Sequence, residues 1–187
     1  MASFTDYLMV ITPAPEVMMQ IERYKQATIR SIGHFEGMYS PGHIIISRQN
    51  RCMSCLAVNA FEEMQNRMMT MAPGILNISG FDYSINAFNG VTVYAVIKQN
   101  PKTKYWFNVL KANMRFKIDN TNPKIIIAEN IPVSAFQKLW PKIQEKPLNI
   151  SFTANSLTIL QRDTYVEYCE WKIYRELFFK NRQKEIF

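Results

Sequence analysis

Pro41-Gly42-His43-Ile44-Ile45-Ile46-Ser47 is the stretch whose reading decides the fold. Its three consecutive isoleucines form a short continuous apolar run, the pattern of a strand covered on both faces. Pro-Gly ahead of them marks a turn into that strand, and a single histidine sits at its mouth. A second stretch, Pro123-Lys124-Ile125-Ile126-Ile127-Ala128, has almost the same outline, with lysine where the first has histidine. His43 and Lys124 stand 81 residues apart in a chain of 187. That is the spacing expected of one unit duplicated inside a single domain.

The residues on either side supply the rest of each unit. Tyr7 to Thr12 reads as a strand, ended by Pro13 and Pro15. A helix follows with Val17, Ile21, Tyr24 and Thr28 on one face, and Gly33 is its stop. After His43 and its strand, Cys52 and Cys55 precede a helix with Phe61, Met64, Met68 and Met71 on one face, ended by Pro73-Gly74. Leu76, Ile78, Phe81, Tyr83 and Ile85 read as a strand with a slip, a bulge, at Gly80. Asn89-Gly90 is a hairpin signal, and Val91, Val93, Ala95 and Ile97 form the return strand. The second half repeats this order. A helix runs over Thr103 to Lys117 with Trp106 and Leu110 on one side, and Asp119 to Pro123 is a turn cluster. The Lys124 strand comes next, then a capping box at Ser134–Gln137 opening a helix with Phe136, Leu139 and Ile143. Leu148, Ile150 and Phe152 alternate as a strand, and Leu157–Leu160 and Tyr165–Tyr174 complete a meander. Each half therefore reads helix, strand, helix, hairpin, over roughly 14–98 and 103–174. No linker rich in Gly or Ser divides them. The expectation is an α+β fold in which residues 1–187 form one domain. Its two similar lobes have antiparallel sheets lining a central cleft, with helices outside.

Composition bounds the function. Hydrophobic residues at 48% and charged residues at 20% are those of an ordinary globular chain. No apolar run reaches the ~18 residues of a membrane span. Met1 to Asp6 carries no secretory pattern, so the expectation is a cytoplasmic protein with no membrane partner. The net charge of +7 permits contact with phosphate without requiring it. Much of the surplus lies in Lys172 to Lys184, read as a solvated tail. Three cysteines are odd in number and too few for a disulfide framework. Cys52-Met-Ser-Cys55 has the spacing of a redox pair or of half a zinc site. Without a second pair of ligands it reads as two small apolar thiols near a helix start. No metal and no cofactor is expected. Phe35, Tyr39, Trp106 and Trp140 are aromatic candidates for stacking beside the cleft, of which Trp106 and Trp140 fall on apolar helix faces and read as packing residues. Tyr39, in the loop before His43, is the side chain best placed to stack on a nucleobase.

The two strands resemble those of the 2H phosphoesterase superfamily, which includes the 2′-5′ RNA ligase and cyclic phosphodiesterase-like proteins. Two strands of the form Pro-His-x-Thr-apolar, about 80 residues apart, mark that family. The similarity runs from Tyr7 to about Trp171, and is most specific over Pro123–Asn130 and Ile131–Trp140. It implies a bilobal fold and a cleft with pseudo-two-fold symmetry. One histidine takes a proton from a hydroxyl or water, the other protonates the leaving oxygen, and two hydroxyl side chains hold the phosphate oxygens. Here His43 is kept, but Lys124 replaces the second histidine. Ile45 and Ile126 replace both hydroxyl residues, and Glu129 stands where a basic residue is common.

The expected cleft residues are thus His43, Ile45, Ser47, Lys124, Ile126 and Tyr39. His43 and Lys124 are the catalytic pair only if the chain is active. The leading expectation is a diverged, catalytically impaired member whose cleft takes a nucleotide or RNA phosphate. The alternatives are a working RNA or cyclic-nucleotide phosphodiesterase or ligase, with His43 as base and Lys124 as acid, and a scaffold that binds protein only.

Overall fold

The computed structural model describes residues 4–118, 122–166 and 169–182. Its strands are β1 (Phe4–Ile11), β2 (Ile44–Met53), β3 (Gly74–Ile85), β4 (Val91–Ile97), β5 (Lys124–Ile131), β6 (Asn149–Ala154), β7 (Ser156–Asp163) and β8 (Lys172–Phe178). Its helices are α1 (Pro15–Ile32), α2 (Ser54–Thr70), α3 (Pro101–Asn113) and α4 (Val133–Ile143).

The strands form one curled antiparallel sheet in the order β6-β3-β4-β5-β2-β1-β7-β8. The two sheets expected of two lobes are therefore continuous. The only register pair that joins β2 to β5 is Ile44 opposite Ile125, at the middle of the sheet. The first Ile of each isoleucine run thus meets the first Ile of the other. Both side chains are fully buried.

One face of the sheet is covered by helices. Val17 and Ile21 of α1, Phe61, Met64 and Met68 of α2, Phe107 and Leu110 of α3, and Leu139 and Ile143 of α4 join the alternate residues of the strands in a single core. On β1, Tyr7, Met9 and Ile11 point into that core, while Leu8 and Val10 point to the opposite, helix-free face. There they form a small apolar cluster with Leu160, and Ile45 packs against it.

Several elements differ from the sequence reading. The helix expected to reach Lys117 ends at Asn113. Ser134 makes no cap: α4 begins at Val133 behind Pro132, so the serine lies inside the first turn. Lys172–Phe178 is strand rather than tail, because it extends the sheet beside β7. The final strand starts at Lys172 and not at Tyr165. The expectations for Met1–Ser3, Asp119–Thr121, Glu167–Tyr168 and the Gln183–Phe187 end of the basic segment lie outside the described residues. The expected bulge at Gly80 is present: the β3–β4 register shifts between Ile78 and Phe81, and Gly80 has φ +71°. No helix is long and apolar enough to cross a membrane among the described residues.

Candidate functional site on the open face of the sheet

The seam pair Ile44–Ile125 fixes what lies beside it. Side chains alternate along a strand. Gly42 faces α1, since a Cβ there would come within 2.6 Å of Ile21 Cγ2 and 3.4 Å of Ile125 Cγ2. The absence of a side chain at Gly42 lets the turn close onto Ile21. His43 and Ile45 then fall on the open face, and so do Lys124 and Ile126. In an antiparallel pair centred on Ile44–Ile125, the pleat sets His43, just ahead of β2, and Lys124 diagonally across that pair. Strand alternation therefore places four of the six expected cleft residues on this face.

Ser47 and Tyr39 do not join them. Ile45 pairs with Val10, but Ser47 pairs with Met9, so β2 carries one extra residue at Ile46. That bulge turns Ser47 to the core side. Its side chain is fully buried, and its hydroxyl donates to the Lys117 carbonyl. The matching irregularity occurs in β5, where Tyr94 opposite Ile126 is followed by Val93 opposite Ala128. Tyr39 is 72% exposed and lies against the flank of α1, in a shallow 600 Å³ depression shared with Met18, Met19, Arg23 and Pro41. The loop is drawn that way by Lys25 of α1, whose Nζ donates to the Ser40 carbonyl at 2.5 Å and the Gly37 carbonyl at 3.5 Å.

Sequence reasoning missed four residues around the pair. Tyr94 lies opposite Ile126, and the Lys124 ammonium sits 4.4 Å from its ring centroid, a cation–π contact. The period-two pattern of Val91–Ile97 carried that signal, because Tyr94 falls on the face opposite to Val93 and Ala95. Thr12 and Thr158 share a hydroxyl contact of 3.4 Å at the end of β1. Lys25 occupies the helix phase of Val17, Ile21 and Thr28 and is 2% exposed. Phe35 packs partly buried against the core. Trp106 donates its indole N–H to the Ala72 carbonyl, and Trp140 packs on Tyr83 and Phe136, so both are structural.

His43 is half-buried, and its Nδ1 is shut off from solvent without a hydrogen-bond partner among the described residues. Burial, and then the positive charge of Lys25, push the imidazole pKa below its ordinary value. The folded chain thus favours neutral His43. An unfolded chain takes up that proton near pH ~6.5. Stability should therefore fall as pH drops below ~6.5, through the window down to the folded value. A His43→Gln variant should lose this component of the pH dependence in melting measurements, and an unchanged profile in that variant would contradict the assignment. Asp6 acts in a separate, lower window. Its burial works to raise the carboxyl pKa, but the Arg51 N–H, the Thr164 hydroxyl and Arg162 outweigh that and hold it below the usual value.

Cys52, Cys55 and Cys169 are free thiols. Burial pushes the Cys52 thiol pKa up, away from the reactive thiolate. A 680 Å³ cavity lined by Tyr24, Ser31, Leu139, Lys142 and Pro147 opens between α1 and α4, on the helical face and apart from His43 and Lys124.

No family model and no curated protein matches the chain. Solved structures do. TT0787 of Thermus thermophilus superposes with a TM-score of 0.67 at 10% identity, over 94% of this chain and 98% of that one. E. coli LigT complexed with 3′-AMP gives 0.61 at 10% identity, over 94% and 98%. LigT complexed with phosphate gives 0.62 at 11% identity, over 95% and 99%. At such identities the likeness speaks for the fold, and it extends over nearly the whole of each chain. With an eight-stranded sheet whose central pair joins the two isoleucine strands, this chain has the 2H phosphoesterase fold.

Proposed function

We propose that the open face around His43 and Lys124 binds a nucleotide or another phosphate-bearing ligand in the cytoplasm, and that the paired-histidine reaction of the fold is lost or severely weakened. The observation that carries this reading is the seam: Ile44 opposite Ile125, flanked on one face by His43, Ile45, Lys124 and Ile126. A paired proton transfer needs two groups that exchange protons near neutrality from opposite sides of a phosphate. Neutral His43 suits one of those roles. An ammonium suits the binding of an anion better than it suits the other role. Where two hydroxyls would hold phosphate oxygens, Ile45 and Ile126 offer no donor, and Ile45 belongs to an apolar cluster. LigT, which shares the fold, has been solved with 3′-AMP, NADP+, phosphate and ATP.

The test is binding, followed by turnover. At about one hundred times its Kd, a ligand adds about 2.7 kcal/mol, or roughly 5–10 °C in a chain of this size. The melting temperature should rise in this way with 3′-AMP or ATP. Lys124→Ala should weaken binding by about ten- to a hundredfold, the loss of one charge-assisted contact. No stabilisation by any of these ligands would overturn the reading and favour a protein-binding scaffold. The second reading is an active phosphodiesterase with His43 as base and Lys124 as acid, and the neutral state of His43 favours it. Turnover of a 2′,3′-cyclic phosphodiester across about pH 6–10 that disappears in His43→Ala would establish it.

A further inference from the structure

Lys25 is a fully buried cation with no carboxylate in hydrogen-bonding contact among the described residues: its ammonium donates to two backbone carbonyls, those of Gly37 and Ser40. Lysine is almost never buried in this way without a paired charge. An apolar residue in its place would complete the α1 stripe of Val17 and Ile21 and avoid the desolvation cost. That cost is met in one place, at the loop 33–42 that delivers His43. The loop bends through left-handed glycines at Gly33 (φ +82°) and Gly37 (φ +72°). Glu129 of β5 lies beside it, since a Cβ on Gly37 would stand 3.7 Å from Glu129 Oε2.

We propose that Lys25 is the positioning residue of the groove: its ammonium, bound to the carbonyls of Gly37 and Ser40, seats the loop that presents His43. This deepens the nucleotide-binding reading and rests on it for its purpose. The groups that bear on this position come from three elements. Lys25 and Glu22 lie on α1, and Glu22 and Glu129 act on Lys25 through space. Lys124 and Glu129 lie on β5, and His43 itself ends the loop. Burial, the dominant cause, makes the Lys25 ammonium easier to deprotonate than an ordinary lysine. The loop therefore hangs on a charge that alkaline pH removes.

The experiment uses the ligand-free full chain, so failure of nucleotide binding leaves it intact. Lys25→Met keeps most of the side-chain length. In that variant, NMR should show the His43 titration midpoint rising toward ~6.5. Amide exchange over residues 34–43 should quicken by about tenfold or more relative to the rest of the sheet. An unchanged His43 midpoint and unchanged loop exchange would overturn the proposal. If Lys25→Met does not fold, the unmodified chain decides. Raising the pH through the titration of Lys25 itself should move the His43 ring resonances and release the loop amides together. His43 resonances that stay fixed while Lys25 loses its proton would overturn the proposal equally.

Discussion

Returning the three missing groups at once, as Ile45→Thr, Lys124→His and Ile126→Thr, should raise turnover of a 2′,3′-cyclic phosphodiester by about 10²–10⁴-fold over the unmodified chain, the worth of a positioned acid–base partner. The positions permit it. Threonine is β-branched like isoleucine and fits the same pleated backbone. Lys124 lies diagonal to His43 across the Ile44–Ile125 pair, so a histidine there faces the same ligand from the other strand. The two hydroxyls would stand on the open face beside it. The change carries a cost, since Ile45 packs on Leu8, Val10 and Leu160, and a threonine puts an oxygen among them. Single reversions should therefore do little. Lys124→His alone supplies a proton donor without the hydroxyls that hold the phosphate. The assay is steady-state hydrolysis of the triple variant beside each single one. A triple variant as inert as the wild-type chain, while still folded and binding 3′-AMP, would mean that the groove has closed for reasons beyond its lost groups.

The two isoleucine strands were legible because a buried strand needs an apolar run, and Pro-Gly or Asn-Pro ahead of it marks the entry. Their matching outlines marked two like strands, but not that the two pair edge to edge in one sheet. The face of Ser47 was not. Period-two counting places Ser47 with Ile45, and one extra residue in β2 turns it to Met9 and the core. Such a bulge leaves no mark when its residues are Ile and Ser, whereas Gly80 announced its own. The contact of Lys124 with Tyr94 depends on β4 lying beside β5, which belongs to topology rather than to any local stretch. Tyr39 misled for a similar reason. Loop residues follow whatever grips them, and the grip is Lys25, 14 positions earlier in the sequence, on α1. A lysine in phase with Val17 and Ile21 was the available signal: the helical period puts it on the buried face, whereas lysine as a residue type belongs in solvent.

Phe61→Ala should cost about 3–5 kcal/mol, the largest loss expected from any single truncation on the helical face. Phe61 of α2 is fully buried. Its ring lies 5.0 Å from Tyr7 of β1, 5.0 Å from Phe116 after α3, and 5.6 Å from Tyr174 of β8. Three segments far apart in the chain thus close on one ring. Aromatic pairs of this kind add to the simple burial of area. Removing the ring leaves a cavity whose walls belong to different elements, so no single movement can fill it, which places the cost toward the upper part of the range. The midpoint of chemical denaturation should fall while its slope stays the same. Phe61 is on the core side of the sheet, whereas His43 and Lys124 face away from the helices. In conditions where the variant is still folded, its affinity for 3′-AMP should therefore match that of the unmodified chain, and a large change in that affinity would show that the open face and the helical core are coupled through the sheet.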